Sequence, residues 1–294
     1  MQYKSGFIGI VGRPNVGKST LMNAILGEKI VIMSDKPQTT RNAIRGVYTE
    51  DNAQLIFIDT PGIHKPKNKL GEYMTDMALR TLEEVDIILL IVDERADFGP
   101  GDEYVLEALK NVKTPKFLII NKIDLIEPKK FEEIYHAYDK MNTFQDIFGV
   151  SALSGKNVAE LIEQLKETVP EGPMFFPEDI LTDQHEKFLV GEIIREKTLQ
   201  YLQDEVPHGV AVDITSMKEK KDIINIQADI YCEKKSHKGI IIGKEGRKLK
   251  GIGKSARIEI EALLGTKVFL EIWVKVRPNW RENSGNLKNF GYYR

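Results

Sequence analysis

Short apolar runs rich in β-branched residues punctuate the first part of the chain at Phe7–Val11, Leu55–Ile58, Ile87–Val92, Phe117–Ile120 and Ile147–Val150. Between them lie longer stretches whose apolar positions recur at helical spacing. Strand-sized apolar runs alternating with amphipathic helices predict a mainly parallel sheet with helices on both faces. The pattern stops at Pro170-Glu171-Gly172-Pro173-Met174-Phe175-Phe176-Pro177, where three prolines and a glycine in eight residues cannot continue a helix or a central strand. Beyond this break the style changes to α+β. A helical stretch runs from Asp183 to about Leu202, followed by strand-like runs at Val210–Thr215 and Ile223–Tyr231. A glycine-bearing helix pair over about 237–264 and a last strand, Lys267–Val276, complete it. The expected division is an α/β domain over 1–169, a linker over 170–182, an α+β domain over 183–276 and a tail over 277–294.

Length agrees with that division, since 294 residues suffice for two domains that each bury a core. Net charge at first sight argues against a polyanion partner, with 42 Lys+Arg against 44 Asp+Glu. The balance is a cancellation. Residues 1–170 hold 21 basic and 25 acidic side chains, residues 171–233 hold 6 and 14, and residues 234–294 hold 15 and 5. A strongly basic end beside an acidic stretch points to a nucleic-acid or acidic-surface site. Cys232 is the only cysteine, which excludes an intrachain disulfide and a cysteine-built zinc site. His64, His136, His185, His208 and His237 show no metal-ligand spacing. The amino terminus lacks signal-peptide shape and the most apolar run is far too short to span a bilayer, so a cytoplasmic protein is expected.

Candidate chemistry sits at the ends of the expected strands. Gly12-Arg13-Pro14-Asn15-Val16-Gly17-Lys18-Ser19 fits G-x-x-x-x-G-K-[ST] between a strand and a helix that continues through Thr20. Its glycines let backbone wrap a phosphate, Lys18 supplies a cation, and the Ser19 hydroxyl can ligate Mg2+. Asp59-Thr60-Pro61-Gly62 follows a second strand, where a carboxylate can hold a metal-bound water and the Gly62 N–H can meet a γ-phosphate. Asn121-Lys122-Ile123-Asp124 ends another. The two acceptors of Asp124 match guanine's ring N–H and exocyclic amino group, a donor pair adenine lacks, which selects GTP over ATP. Ser151-Ala152-Leu153 could close over the guanine oxygen with a backbone N–H. Four such segments in this order are highly specific for a nucleotide site.

These motifs, with PQTTR at 37–41, DTPGIHKPK at 59–67 and PEDILTD at 177–183, make the chain resemble the bacterial Era family of translation-factor-type GTPases along essentially its full length. The resemblance implies a P-loop GTPase fold, and it implies that Thr40 closes on Mg2+ together with Ser19 and, through water, Asp59. Read alone, Thr40 is equally an ordinary threonine in a polar loop. Lys18, Thr40 and Gly62 are then the expected catalytic groups. Ile63 stands where many GTPases place a water-orienting Gln, so slow intrinsic turnover is expected. Asn15 fits either a K+ ligand, as in some related GTPases, or a turn former beside Pro14. His64 is expected as an exposed loop histidine rather than a base. GDP and guanosine tetraphosphate carry the same base as GTP and are expected to compete with it.

The basic end holds Gly243-Lys244-Glu245-Gly246 after an aliphatic run and before a helix with Leu249, Ile252, Ile258 and Ile260. Nine basic side chains and one acid lie within 234–257. In a KH domain a G-x-x-G loop clamps about four nucleotides beside an apolar groove. Lys238, Lys244, Arg247, Lys248 and Lys250, with Gly243 and Gly246, are the expected RNA-binding residues, and the element order resembles a type II KH domain. The resemblance further implies the 3′ end of small-subunit ribosomal RNA as target, small-subunit assembly as role, a monomer, and peripheral contact with the inner membrane surface. Trp273 and Trp280, with Phe290, Tyr292 and Tyr293, could stack on bases; core packing is expected for Trp273 and tail docking for the others. The competing readings are a signalling GTPase whose basic domain docks protein or anionic lipid, and an RNA-binding protein with a vestigial nucleotide site.

Overall fold

The computed structural model describes residues 2–36, 38–95, 99–203 and 206–293. The chain divides into two compact units, the first reaching Asp183 and the second beginning at Gln184, with residues 34–39 and 68–70 grouping with the second.

The first unit contains β1 (Lys4–Gly12), α1 (Lys18–Leu26), β2 (Ile44–Glu50), β3 (Ala53–Asp59), α2 (Lys69–Thr81), β4 (Ile87–Val92), α3 (Pro100–Leu109), β5 (Lys116–Ile120), α4 (Pro128–Asp139), β6 (Asp146–Gly149) and α5 (Val158–Thr168). Its six strands lie in the order β2-β3-β1-β4-β5-β6. All pairs are parallel except β2 with β3. Every residue of β3, β4 and β5 is buried, as strands covered on both faces must be, which is why they read as unbroken apolar runs. The sequence pattern misses β2. It lies at the sheet edge, where Ile44 and Val47 are buried but Arg45 is exposed and Tyr48 to Glu50 are half-buried, leaving no continuous apolar run.

Residues 170–182, expected as a linker, are bound to this sheet. Gly172 N–H donates to the Tyr3 carbonyl and Ser5 N–H to that of Pro170, at 3.1 Å each. The buried Gln54 carboxamide then takes the N–H groups of Phe175 and Phe176 and donates to the Phe176 carbonyl. Val47 N–H donates to the Leu181 carbonyl at 2.9 Å and Arg45 pairs with Asp183 at 2.8 Å. The prolines stop secondary structure here, but the freed backbone groups pair with β1 and β2, and the segment covers an open strand edge.

The second unit comprises α6 (Glu186–Gln200), β7 (Ala211–Lys220), β8 (Ile223–Cys232), α7 (Lys235–Ile242), α8 (Arg247–Leu264), β9 (Lys267–Val276) and α9 (Ser284–Asn289). Its sheet order is β7-β8-β9, antiparallel then parallel. Ile226, Ala228, Ile230 and Cys232 of β8 join Val268 and Val274 of β9, Ile252, Ala256 and Ile260 of α8, and Val190 and Ile194 of α6 in one core. The α8 stripe at i, i+4 and i+8 leaves Ile258 on the outer side, 57% exposed. Side-chain alternation sends Trp273 to the face opposite Val274, so it is 44% exposed and not the core residue expected. The tail does dock. Trp280 is fully buried, its Nε1 donates to the Gly209 carbonyl at 2.9 Å, and the rings of Phe290 and Tyr292 pack on it at 5.3 and 6.0 Å. Tyr293 stays exposed.

Candidate functional site

The carboxyl ends of β1, β3, β4, β5 and β6 carry the nucleotide-site candidates, the edge of an open parallel sheet where ligands bind. Gly17, at φ 99°, opens α1; a Cβ there would lie 2.2 Å from Asn121 Nδ2, so only glycine fits. Lys18 is buried, and its Nζ donates to the Gly12 and Arg13 carbonyls at 3.2 and 2.9 Å. Burial lowers its pKa to about 8 despite the attraction of Asp59. An ammonium so desolvated gains strongly from an anion placed beside it.

Ser19, Thr40 and Asp59 meet. Ser19 Oγ donates to Asp59 Oδ2 at 2.7 Å, Thr40 Oγ1 does so at 3.1 Å, and the two hydroxyls are 3.0 Å apart. Burial raises the Asp59 pKa, with Lys18 and the two hydroxyls opposing the shift. Asp59 Oδ1 is buried without a hydrogen-bond partner. Two hydroxyls and an acceptor with spare capacity make a hard oxygen donor set that fits Mg2+, which keeps several waters and takes few protein ligands. No cluster of three or more His, Cys, Asp or Glu with metal-binding arrangement occurs among the described residues.

Thr60 Oγ1 ties the next residue to the Ile10 carbonyl at 2.7 Å. Pro61 is buried, and Gly62 lies against the P-loop, where a Cβ would fall 2.7 Å from the Pro14 nitrogen. Ile63 N–H donates to the Gly12 carbonyl at 3.1 Å, and its side chain is fully buried among Val11, Ile58 and Ala78. Ile63 therefore reaches the site through its backbone alone. His64 is half-buried, with Nδ1 2.9 Å from the Gly62 carbonyl, and is not the exposed histidine expected.

At the base side, Asn121 acts as a strap. Its Nδ2 donates to the Val16 carbonyl at 2.8 Å and its Oδ1 accepts the Ala152 N–H at 3.0 Å. Both amide atoms thus hold protein loops together, and the Ala152 N–H, a candidate donor to guanine, is bound to Asn121. Ser151 is fully buried and Leu153 exposed. Asp124 is exposed in the short 3-10 turn Ile123–Leu125, with Lys122 before it at φ 62°. The sequence reading missed Asp93. Its buried carboxylate receives Arg13 at 3.1 Å, Arg95 at 2.8 Å and Lys122 at 3.2 Å, and Arg13 also pairs with Asp102 at 2.6 Å. Burial opposes ionisation of Asp93, but Arg95 and Lys122 outweigh it and hold its pKa below the usual range. An acid directly after the apolar run of β4 was the available signal. Asn15 is exposed at φ 67° on the lip of the loop.

In the second unit Gly243 and Gly246 both take positive φ, 73° and 72°, around the turn between α7 and α8. Lys244 and Arg247 are exposed and Lys248 half-buried. Beside the turn lies a groove of about 540 Å³ lined by Gly246, Leu249, Lys250, Gly253, Lys254, Arg257 and the β9 residues Phe269, Leu270 and Ile272. Lys238 on α7 is exposed but outside this lining. Lys254, Arg257 and Phe269 were not singled out from sequence. Helical spacing from Lys250 was the signal for the first two, and the β9 edge for the third.

A family of 50S ribosome-binding GTPases matches residues 7–122 and the KH domain family matches 205–281. GTPase Era of Alkaliphilus metalliredigens is 60% identical over 99% of this chain and 100% of its own length. GTPase Era of Clostridioides difficile is 56% identical over 99% of each chain. A crystal structure of Era in complex with MgGDPNP and nucleotides 1506–1542 of 16S ribosomal RNA superposes with a TM-score of 0.96, at 42% identity over 99% of this chain and 100% of that one. A single-substitution variant of Aquifex aeolicus Era bound to GDP·AlF4− gives 0.95 at 41% identity, with the same coverage. With a phosphate loop, an oxygen-donor cluster and a G-x-x-G turn all in place and relatives this similar over the full length, the chain belongs to the Era GTPase family.

Proposed function

We propose that this chain is a GTP-hydrolysing switch that binds the 3′ end of small-subunit ribosomal RNA and serves small-subunit assembly, its nucleotide state controlling RNA binding. One observation carries the reading: a single chain holds the Lys18–Ser19–Thr40–Asp59 cluster and, in its second unit, a G-x-x-G turn opening onto a basic, apolar-walled groove. Lys18 and the backbone of residues 12–17 hold the phosphates. Ser19 and Thr40, with Asp59 through water, hold Mg2+, which when bound neutralises charge on the β- and γ-phosphates. Gly62 offers its N–H to the γ-phosphate, and Asp124 reads the guanine edge. Loss of the γ-phosphate releases Thr40 and its loop.

With Ile63 packed into the core, no side chain at that position orients the attacking water, and intrinsic turnover is slow. We place K+ at the Asn15 carboxamide as the group that compensates; unchanged single-turnover hydrolysis on replacing Na+ by K+ refutes that. Guanosine tetraphosphate enters the same site, because Asp124 sees only the base. Lys244, Arg247, Lys248 and Lys250 neutralise phosphates of about four clamped nucleotides at Gly243–Gly246. No helix among the described residues is long and apolar enough to cross a membrane.

The test is cross-linking and sequencing of RNA bound in cells, with wild type beside Gly246→Asp. No atom lies within 4 Å of a Cβ at Gly246, so the carboxylate meets no clash, but φ 72° strains any side chain there; uncharged Gly246→Asn, with a similar backbone cost, is the control for the Asp variant. Gly246→Asp is expected to lose the 16S 3′ footprint and keep GTP binding. An unchanged footprint overturns the reading.

A further inference from the structure

We infer that the outer face of the second sheet, open around Phe269 and Trp273 and closed by the tail at Tyr231, where the Phe290 ring packs at 4.8 Å, is a further stacking surface for single-stranded RNA, continuous with the groove; it rests on the groove reading above. Alternate residues of each strand define this face. Ile226, Ala228 and Ile230 of β8 and Val268, Leu270, Ile272 and Val274 of β9 turn toward the helices. Asn225, Gln227 and Asp229 of β8, beside Phe269, Glu271 and Trp273 of β9 in register, turn away. Phe269 is 53% exposed, and Trp273 stands four residues further along the same face.

The surroundings of the two rings favour RNA over a protein surface. They are separate aromatics on a polar face, not one contiguous apolar patch. Gln227 donates to Glu271 at 3.1 Å and Lys275 pairs with Asp229 at 2.5 Å, which occupies two of the acids beside Trp273. Around Phe269 the exposed cations gather: Lys218 lies opposite Asn225, and Lys220 and Lys267 flank Ile223. Aromatic rings on an open sheet with lysines at its margin are the physical elements of a base-stacking platform. Phe269 also lines the groove, and β9 is the edge strand, so a strand of RNA leaving the clamp at Gly246 passes directly over this edge.

The chain's two tryptophans make the inference readable. Trp280 is fully buried, so base stacking changes the emission of Trp273 alone. The full-length protein with a non-hydrolysable GTP analogue is titrated with the 16S segment 1506–1542 and with overlapping four-nucleotide windows that tile it. The full segment is expected to quench tryptophan emission, and the quench is absent in Trp273→Phe. Tetranucleotides held at the clamp leave emission unchanged. Trp273→Ala, at an exposed position outside the groove lining, is expected to weaken the full segment at least about fivefold, since stacking contributes about five- to 150-fold per base. Its affinity for the clamped tetranucleotide falls much less. Full-segment binding with unchanged Trp273 emission, or with unchanged affinity in Trp273→Ala, overturns the stacking surface while leaving the groove intact. Retention of full-segment binding by Gly246→Asp overturns the groove reading and this inference with it.

Discussion

Asn121→Ala is the sharpest probe of how the nucleotide site is held. The side chain is 2% exposed, and its two amide atoms bridge the phosphate loop, at the Val16 carbonyl, to the Ser151–Leu153 segment, at the Ala152 N–H. Removal orphans one buried acceptor and one buried donor. Each orphan costs about 1–3 kcal/mol, about 2–6 kcal/mol in all. Part appears as lost stability of the unliganded protein and part as lost nucleotide affinity, because GDP needs both loops positioned at once. Isothermal titration with GDP and urea unfolding of the unliganded protein measure the two parts, and their sum is expected to reach at least about 2 kcal/mol, about 30-fold if it falls wholly on binding. A variant with GDP affinity within threefold of wild type and an unchanged urea midpoint refutes the strap.

Three further outcomes follow from the same geometry. The Lys18 pKa of about 8 lies below the ordinary lysine value, so the unfolded chain binds more protons between that pH and 10.5 and the term stabilises folding as pH rises through this window; an anion beside Lys18 reverses the shift, so Mg2+-free GDP binding at pH 9 takes up a proton and at pH 6.5 takes up none through this group, measured by titration in buffers of different ionisation enthalpy. Burial raises the Asp59 pKa, so its charge costs stability above the unfolded carboxylate range; Asp59→Asn is expected to raise the melting temperature of the unliganded protein while removing the Mg2+ enhancement of GDP binding. Trp280→Ala empties a fully buried site and orphans the Gly209 carbonyl, and is expected to destabilise the second unit by about 3–5 kcal/mol in urea unfolding, with GTP binding unchanged.

The features legible in the sequence are those where one physical demand dominates. Strands β3, β4 and β5 are covered on both faces and show as apolar runs; the phosphate loop needs glycine at Gly17 because Asn121 occupies the space of a Cβ. Strand β2 was hidden because an edge strand needs few apolar positions. The segment at 170–183 was hidden because its hydrogen bonds run to Tyr3, Gln54 and Val47, residues more than a hundred positions away. Trp273 was misjudged because hydrophobicity alone does not reveal which face of a strand a residue takes; register does. The roles of Asn121 and Asp93 were out of reach for a related reason. The motif names Asn121, but only the fold shows that both its amide atoms are committed to backbone, and Asp93 acquires its three cations from three separate segments.

The central claim, that nucleotide state controls RNA binding, is tested most directly by the affinity of the full-length protein for the 16S segment 1506–1542 with GDP and with a non-hydrolysable GTP analogue, at one fixed salt concentration. Binding is expected to differ between the two states, because a ligand shifts an equilibrium only by its differential affinity. Equal affinity in both states contradicts the account.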